Sequence, residues 1–451
     1  MSPLLIRSAI VAALGGFLFG FDTAVISGTE SQLKPLFDLS EHYWGFTVSI
    51  ALFGTIIGAA FTAIPARILG RRKTLMIIGA IYIISAIGTA FPWDWASFLF
   101  FRFIGGLAIG GSSVVAPMYI AEVSPAKIRG KLVALAQFNV VFGITMAYVS
   151  NYVIQMAVQT EAWRWMLGIE AFPAAAFFFL LFITPESPRW LIGKGRKDEA
   201  TDILERLGTD TGNTAEEVAV IEESLQKDES RGKEPFFCKR YSFPIMLAVV
   251  IAAFNQLSGI NAVLYYAPSI FESAGTDTGD SLLNSAIIGI TMTVFTLLAM
   301  FVIDKMGRKK LMFWGSIGYL LGLFAISAAY YYYGTNFTAA GGRIVLLALM
   351  VYIAAHAFGQ GAVIWVLISE VFPNKVRAQG QSLGSFTHWF MAWVVAGLFP
   401  TMREIIGPEN VFLFFAAMMV LQLLWVIFIM PETKQIPLEE MEQRLGNKQV
   451  F

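Results

Sequence analysis

The chain has 451 residues, of which 56% are hydrophobic and only 14% are charged, and its formal net charge is zero. Soluble globular proteins carry about a quarter charged residues, so this composition excludes an ordinary soluble domain. The zero net charge indicates no particular charged partner, and we expect no nucleic acid among the partners.

Apolar residues occur in blocks that are long enough to cross a lipid bilayer. A membrane-spanning helix needs about 20 mostly apolar residues. We find no alternating segments of roughly ten residues, the pattern of a membrane β-barrel. The sequence therefore predicts an all-α membrane protein with twelve transmembrane helices. The predicted spans cover about 6–27, 45–66, 74–92, 96–120, 132–155, 163–184, 243–270, 282–303, 311–333, 344–369, 380–400 and 411–430.

The first predicted span contains GGFLFGFDTAVISG, Gly15 to Gly28, in which Asp22 is the one carboxylate. A charge in such an apolar run is costly to bury. The fourth predicted span also contains one charge, Arg102. Two isolated intramembrane charges of opposite sign favour pairing.

Basic residues between the spans favour one side of the membrane. If the N-terminus is cytoplasmic, the short loops on that side hold 13 lysines and arginines, against 4 on the other side. The positive-inside rule therefore predicts that both termini are cytoplasmic. Cys238 is the only cysteine in the sequence, so no intrachain disulfide is expected.

Charged residues are concentrated between the sixth and seventh predicted spans, where residues 185–242 hold 23 of the 64 charges. Segments 198–207 and 215–225 show helical spacing of apolar residues, which predicts short amphipathic cytoplasmic helices. An unstructured, solvated linker is the alternative. The expected domains are an N-terminal six-helix bundle at 1–184, the linker at 185–242, a C-terminal six-helix bundle at 243–430 and a cytoplasmic tail at 431–451.

Three motifs recur in the two halves of the chain in the same order. LGRRKTL at 69–75 returns as MGRKKLM 237 positions later, and AEVSPAKIRG at 121–130 returns as SEVFPNKVRA 248 positions later. PESPRWL, which begins at 185, is matched by PETKQIP 246 positions later. Such recurrence indicates a duplicated six-helix unit, and transporters are often built from such repeats.

As a set, the motifs resemble those of the major facilitator superfamily and, within it, the sugar porter family. The resemblance runs from about Gly15 to Glu440 and implies the major facilitator fold, two pseudo-symmetric six-helix bundles that transport a sugar. The motifs are GGFLFGFDTAVISG in span 1, RFIGGLAIG in span 4, PMYIAEVSPAKIRGKL after it, PESPRWL after span 6, NQLSGINAVLYYAP in span 7, DKMGRKK after span 8, SEVFPNKVRAQG after span 10 and PETK after span 12.

A sugar site needs amides, which donate and accept hydrogen bonds, and flat aromatic faces that pack against the ring. Span 7 supplies both, and Gly259 allows its helix to loosen between them. Polar residues can instead serve only to hold helices together, and aromatic residues are common in membrane proteins. The resemblance implies sugar contacts for Gln137, Asn255, Gln256, Asn261, Tyr265, Trp365, His388 and Trp389, with Phe19 and Met292 in the same site.

The resemblance also implies a role for Asp22, because members with aspartate at this position resemble proton symporters, whereas passive facilitators commonly carry a neutral residue. A buried carboxylate that is separated from its cationic partner tends to take up a proton. A conformational change that separates Asp22 from Arg102 would therefore move a proton. A static ion pair that fixes two helices is the alternative.

We therefore predict a secondary transporter that imports a monosaccharide, a hexose or a pentose, with a proton by alternating access. Asp22 is the expected proton carrier and Arg102 its partner. A passive sugar uniporter and a non-transporting sugar receptor are the alternatives.

The resemblance further implies salt-bridge networks that hold the cytoplasmic ends of the two halves together while the sugar site faces outward. Networks that break in every cycle should consist of individually weak pairs. Basic residues that serve only as orientation signals are the alternative, which leaves the paired glutamates unexplained. The expected gate residues are Arg71, Arg72, Glu122, Arg129, Glu186, Arg189, Asp304, Arg308, Glu370, Arg377 and Glu432.

The chain departs from the family pattern at several positions. Asn255 replaces the first glutamine of a pair, Met292 an asparagine that reaches the sugar, His388 a glutamine and Ala362 a proline. These changes leave the identity of the sugar open. The acidic residue before the first GRR is missing, so we expect a looser network in the first half than in the second, which has Asp304.

The sequence shows no sign of an enzyme: it has no nucleotide-binding glycine loop and no cluster of metal ligands, and its three histidines are scattered. We expect no metal site and no cofactor, with the proton as the coupling ion. The expected partners are a sugar, protons and the lipid bilayer. The protein is expected to be a monomer in a bacterial inner (plasma) membrane.

Overall fold

The computed structural model describes residues 2–158, 160–208, 213–230, 235–373 and 375–434. Over these residues the secondary structure is entirely helical, and twelve helical stretches are long and apolar enough to cross a membrane. The all-α class and the twelve spans predicted from the sequence are thus confirmed. Spans 1 to 12 are Pro3–Leu36, Glu41–Phe61, Arg71–Ala90, Trp95–Val123, Gln137–Ala157, Ala162–Ile183, Lys239–Ser273, Thr278–Met306, Arg308–Tyr333, Ala339–Glu370, Arg377–Ile406 and Pro408–Phe428.

Several of these spans consist of more than one helix. Span 5 is the C-terminal part of a longer helix, Ala126–Ala157, and a short helix, Ala63–Leu69, precedes span 3. The composite spans are span 1 (Pro3–Val25, the 3₁₀ turn Ile26–Thr29 and Glu30–Leu36), span 6 (Ala162–Gly168, Ala171–Leu180 and the 3₁₀ turn Leu181–Ile183), span 7 (the 3₁₀ turn Lys239–Tyr241, Ser242–Leu257 and Ile260–Ser273) and span 10 (Ala339–Phe358 and Gln360–Glu370).

The break in span 7 falls at Gly259, as the sequence predicts. Its φ of +88° lies in the left-handed region that favours glycine. A Cβ atom at this position would lie 2.5 Å from the ring of Phe415, so glycine is needed for space as well as for conformation. Tyr266, further along the same span, also has non-helical angles, with φ −122° and ψ 18°.

Elsewhere, glycine permits close contact between spans. A Cβ atom on Gly20 of span 1 would lie 1.8 Å from the carbonyl oxygen of Val140 on span 5. Small residues allow membrane helices to approach this closely, and the resulting van der Waals contact replaces the hydrophobic driving force that lipid does not supply.

The linker between spans 6 and 7 contains three short helices, Pro188–Gly193, Lys197–Leu207 and Thr214–Ser230. The second and third include the segments whose spacing predicts amphipathic helices. Leu204 and Leu207 are buried on the second helix. Helices, rather than an unstructured linker, are therefore confirmed for these segments.

The described residues form two compact units, each with its own apolar core. Side chains of spans 1, 3, 4 and 6 build the core of unit 1, and side chains of spans 7, 9, 10 and 12 build the core of unit 2. The domain boundaries expected from the sequence stay a prediction. As far as their residues are described, unit 1 comprises Met1–Thr23, Phe53–Ala147 and Arg164–Lys233, and unit 2 comprises Ala24–Leu52, Tyr148–Trp163 and Glu234–Phe451.

Candidate functional site

The two isolated charges of the first half meet inside unit 1. Arg102 Nη1 on span 4 donates a hydrogen bond to Asp22 Oδ1 on span 1, and each side chain is only 2% exposed. Among the described residues, Asp22 Oδ2 and Arg102 Nε and Nη2 have no hydrogen-bond partner. The pair is thus in contact but keeps unused hydrogen-bonding capacity on both sides.

A third buried charge, Glu170 on span 6, belongs to the same cluster and was missed by the sequence analysis. Glu170 is 4% exposed and interacts electrostatically with Asp22 and Arg102. Within the described part of the chain its Oε1 atom has no hydrogen-bond partner. The available signal was its position, as the one acidic residue inside the sixth apolar block.

Small and hydroxylated side chains surround this cluster. Tyr82 and Ser112 are buried, and their oxygens lie 3.0 Å apart in a hydrogen bond. A Cβ atom on Gly105 would lie 2.3 Å from Ser85 Oγ and 3.2 Å from Asp22 Oδ2. Glycine at this position of span 4 therefore leaves the space that the carboxylate occupies.

In unit 2, three amides form a cluster around the break in span 7. Gln256 Nε2 donates to Asn255 Oδ1 at 2.9 Å, and Asn261 Nδ2 donates to Gln256 Oε1 at 2.8 Å. Both ring nitrogens of His388, on span 11, lie 3.3 Å from Gln256 Nε2. The break at Gly259 separates Asn255 and Gln256 from Asn261 in the sequence, and the side chains of all three meet beside it.

Aromatic rings lie beside these amides. The ring centre of His388 is 5.0 Å from that of Trp365 on span 10 and 4.8 Å from that of Trp389. Tyr266 has a different role, because its hydroxyl donates to the carbonyl of Ala396 at 2.9 Å and so joins spans 7 and 11.

The structure thus brings six of the predicted sugar-site residues into one cluster: Asn255, Gln256, Asn261, Trp365, His388 and Trp389. Tyr265 and Met292 are also buried in unit 2. Gln137 and Phe19 belong to unit 1, where Gln137 is exposed and Phe19 packs against the apolar core.

Charged networks with the same design lie at one end of each unit. In unit 1, Arg71 Nε and Nη2 lie 2.7 and 2.8 Å from the two carboxylate oxygens of Glu122, to which Ser187 Oγ also donates at 2.6 Å. A third guanidinium nitrogen, Nη1, donates to the carbonyl of Ala66 at 3.2 Å. The guanidinium therefore contacts three oxygen atoms, two of Glu122 and one of Ala66, although no acidic residue precedes it.

In unit 2, Arg308 Nη2 and Nε donate to Glu370 at 2.8 and 3.1 Å, and Thr433 Oγ1 donates to the same carboxylate at 2.6 Å. Arg308 Nη1 also lies 3.3 Å from Asp304, whose side chain is 83% exposed. Such an exposed partner contributes little. The arginine–glutamate distances in unit 2 are not shorter than those in unit 1. A looser network in the first half therefore stays a prediction.

Glu186 and Glu432 act on backbone groups. Glu186 accepts hydrogen bonds from the N–H groups of Arg71 and Arg72 at 2.9 and 3.1 Å. Glu432 accepts from the N–H groups of Arg308 and its neighbour at 2.9 and 3.1 Å. Each carboxylate thus satisfies the open N-terminus of a span, where negative charge is favourable.

The remaining predicted gate residues have other contacts. Arg72 Nη2 donates to the carbonyl of Phe182 at 3.3 Å, and Arg189 Nη2 donates to Ser224 Oγ at 3.1 Å. Arg377 Nε donates to the carbonyl of Phe372, five residues earlier in the chain, at 3.4 Å. The side chain of Arg129 lies outside the described residues.

A further ion cluster, which we call the Arg403 cluster, was also missed by the sequence analysis. It joins the C-terminal ends of spans 1, 7 and 11 and the N-terminal end of span 2, all within unit 2. Arg403 Nη2 lies 3.7 Å from both Glu30 Oε1 and Glu41 Oε2, and Arg403 Nη1 donates to Ser269 Oγ at 2.7 Å. Lys34 Nζ lies 2.6 Å from Glu41 and 3.7 Å from Glu30. Two carboxylates and two cations balance.

Comparison with known proteins finds transporters that are similar to this chain over nearly its whole length. The D-xylose-proton symporter of Escherichia coli (strain K12) is 37% identical over 98% of this chain and 96% of its own length. The arabinose-proton symporter of Bacillus subtilis (strain 168) is 35% identical over 96% of this chain and 93% of its own length.

Solved structures of the xylose transporter XylE from E. coli, a major facilitator superfamily protein, have the same fold. The inward open conformation gives a TM-score of 0.85 at 35% identity, over 98% of this chain and 99% of that chain. The complex with 6-bromo-6-deoxy-D-glucose gives 0.79 over the same shares. The predicted major facilitator fold is thus confirmed.

The family model for sugar and other transporters matches residues 8–445, nearly the whole chain. Its members and the relatives named above are transporters rather than enzymes, which agrees with the class predicted from the sequence. The chain is an integral membrane protein of the sugar (and other) transporter family.

Proposed function

We propose that this protein imports a monosaccharide together with a proton, by alternating access, across a bacterial plasma membrane. The observation that carries the proposal is the buried cluster of Asp22, Arg102 and Glu170 in unit 1. The names of the relatives, D-xylose-proton and arabinose-proton symporters, support the same chemistry.

The charge of this cluster gives the proton a place to bind. Two carboxylates face one guanidinium, so the fully ionised cluster carries one excess negative charge. Such a charge is costly in a site that is almost closed to water. A proton on Asp22 or Glu170 removes it, and each residue has a carboxylate oxygen that no described residue hydrogen-bonds.

Coupling follows if the proton must be bound for the sugar-loaded protein to change conformation. One charge that crosses 100 mV is worth about 2.3 kcal/mol. Because about 1.4 kcal/mol corresponds to a factor of ten, one proton per sugar sustains roughly fifty-fold accumulation. A proton-coupled importer can therefore concentrate a sugar from a dilute medium.

The amide and aromatic cluster in unit 2 is the proposed sugar-binding surface. Asn255, Gln256 and Asn261 offer donors and acceptors that now bond to one another, and sugar hydroxyls can replace these bonds one for one. The rings of Trp365 and His388 supply the flat surface. Met292 offers no amide where the family commonly has one, so we expect a substrate that needs fewer polar contacts on the span-8 side.

The charged networks around Arg71 and Arg308 are the proposed cytoplasmic gate, with both termini on that side and the protein acting as a monomer. The excess of basic residues in the corresponding loops supports this orientation. Networks of this kind serve a cycle because each can break and form again.

The test uses proteoliposomes that contain wild-type protein, Asp22→Asn or Glu170→Gln, with a panel of hexoses and pentoses. Glu199→Gln is the matched control, because Glu199 is an acidic residue on the exposed surface of a linker helix. For each variant, counterflow measures sugar exchange without a gradient, and uptake under an inward proton gradient measures accumulation.

We expect wild type and Glu199→Gln to accumulate a sugar only with the gradient, and Asp22→Asn to keep counterflow but lose accumulation. If the gradient makes no difference to the wild type, the protein is a uniporter and the Asp22–Arg102 pair is static. If a sugar binds but neither assay shows transport, the receptor alternative is correct.

A further inference from the structure

Five polar side chains form a continuous hydrogen-bonded chain inside unit 2, and the proposed function does not use them. They come from spans 9, 10 and 12, and each is at most 5% exposed. We call this group the Gln360 chain. Its members are Ser316, Tyr319, His356, Gln360 and Gln422.

The hydrogen bonds of the chain have a single direction. The Tyr319 hydroxyl donates its one proton to Gln360 Oε1 at 3.0 Å, so it accepts the bond from His356 Nδ1 at 2.5 Å. Gln360 Nε2 donates to Gln422 Oε1 at 2.8 Å, and Gln422 Nε2 donates to Ser316 Oγ at 2.9 Å. Ser316 in turn donates to a backbone carbonyl of its own span at 2.8 Å.

The chain surrounds the break in span 10. The first helix of this span ends just before Gly359, whose φ and ψ are −95° and −94°, and the second helix begins just after it. His356 lies on one side of the break and Gln360 on the other. A Cβ atom on Gly315 of span 9 would lie 2.9 Å from Gly359 Cα, so the two backbones touch here. A Cβ atom on Gly361 would lie 3.2 Å from His356 Nε2, so the ring packs against the break.

The second helix of span 10, Gln360–Glu370, carries Trp365, whose ring lies 5.0 Å from that of His388. A broken helix lacks the continuous backbone bonds that would fix the rotation of its second part. Gln360, the first residue of that part, supplies replacements by bonding to span 9 through Tyr319 and to span 12 through Gln422.

We propose that the Gln360 chain is a positioning network that sets the orientation of Trp365 in the sugar site, with Gln360 as its central member and Tyr319 as the link between Gln360 and His356. The proposal rests on the proposed function, because it concerns the aromatic wall of the same sugar-binding surface. A continuous chain of buried hydrogen bonds specifies one arrangement of its helices, whereas apolar side chains could pack there in several.

The N-terminal half of the protein offers an independent comparison. Tyr82 lies 237 positions before Tyr319, and Ser112 lies 248 positions before Gln360, the separations of the first two repeated motifs. Tyr82 and Ser112 bond to each other as Tyr319 and Gln360 do. In unit 1 this pair adjoins the charged cluster, whereas in unit 2 the equivalent pair continues into uncharged amides. The second half thus uses neutral groups where the first half holds charges.

The test is Tyr319→Phe, which removes one hydroxyl and with it the hydrogen bonds to both His356 and Gln360. Tyr330→Phe is the matched control, because Tyr330 is equally buried on the same span and its hydroxyl donates to the carbonyl of Ile270 at 2.6 Å. Two readouts are needed. The first is the fluorine NMR resonance of Trp365 in 5-fluorotryptophan-labelled protein without sugar, assigned with Trp365→Phe. The second is the half-saturation concentration and maximal rate of D-xylose counterflow in proteoliposomes.

We expect Tyr319→Phe to shift or broaden the Trp365 resonance and to raise the half-saturation concentration about tenfold, with the maximal rate within about twofold of wild type. Tyr330→Phe should change neither quantity. An unmoved resonance, or equal effects of the two variants, would overturn the proposal. Should Tyr319→Phe not fold, Ser316→Ala breaks the end of the chain and must shift the same resonance. If the wild type exchanges no sugar of the panel, the proposed function fails, and the resonance alone still supports or overturns the positioning role.

Discussion

The Arg403 cluster allows a quantitative prediction about the closure of spans 1, 2, 7 and 11. Arg403→Met keeps the length of the side chain and removes its charge, which leaves Glu30 and Glu41 with Lys34 as their cation in the cluster. Removal of one partner of a fully buried ion pair costs about 3–5 kcal/mol, and of an exposed pair about 0.2–1 kcal/mol. The four charged side chains are 10–22% exposed, so we expect an intermediate cost of about 2 kcal/mol. That cost corresponds to roughly a thirty-fold shift towards the state in which these ends separate.

Cysteine accessibility measures this shift directly. Cys238→Ser removes the only native cysteine, and Leu33→Cys then places a thiol at a position that is 0% exposed on span 1. The thiol should react with a water-soluble maleimide about thirty times faster in the Arg403→Met protein. Arg343→Met is the matched control, because Arg343 is an exposed arginine near the start of span 10.

The reasoning is refuted if labelling is as slow in Arg403→Met as in the parent protein, or if Arg343→Met accelerates it equally. Exchange of the charges, Glu30→Arg with Arg403→Glu, keeps the cluster balanced and should restore most of the protection. Failure of the exchange to restore it would mean that packing of Arg403, rather than its charge, holds these ends together.

Two further predictions concern the sugar site and the charged networks around Arg71 and Arg308. His388→Gln restores the amide that the family commonly has, so it should lower the half-saturation concentration in counterflow; an increase would show that the imidazole ring itself contacts the sugar. Arg71→Gln and Arg308→Gln should lower the melting temperature in detergent by similar amounts, because each arginine makes a two-point contact with one glutamate and Asp304 is 83% exposed. A clearly larger effect of Arg308→Gln would instead support a looser network in the first half.

The sequence was sufficient for the spans, the family and the Asp22–Arg102 contact, because each rests on a local signal. An isolated charge in an apolar block must find a partner, and these two were the first pair that balanced. Glu170 carries the same signal, but Asp22 and Arg102 already balance each other, so charge pairing alone predicts no third member. Only the folded unit shows which charges meet, so an excess charge in a cluster is visible in the structure and not in the sequence.

Two other features depended on tertiary structure for different reasons. Glu186 and Glu432 were expected in side-chain salt bridges, whereas each accepts from backbone N–H groups at the start of a span. A glycine with positive φ precedes each of these helices and leaves the N–H groups open. The Arg403 cluster has no motif, because Ser269 and Arg403 lie far in sequence from Glu30, Lys34 and Glu41 and meet them only when the ends of four spans pack together.

The proposed proton and sugar residues lie at equivalent places in the internal repeat. Gly20 and Asp22 in GFDTAV correspond, 239 positions later, to Gly259 and Asn261 in GINAVL. Aspartate and asparagine have nearly the same shape, but only aspartate can carry a charge. Asp22 bonds to a guanidinium, and Asn261 bonds to the neutral amide of Gln256. A duplicated unit that keeps the shape of one residue and changes its charge can therefore bind a proton in one half and a neutral sugar in the other. On this view Asn261→Asp should not create a second proton site, because no arginine in the described part of unit 2 pairs with this position as Arg102 pairs with Asp22.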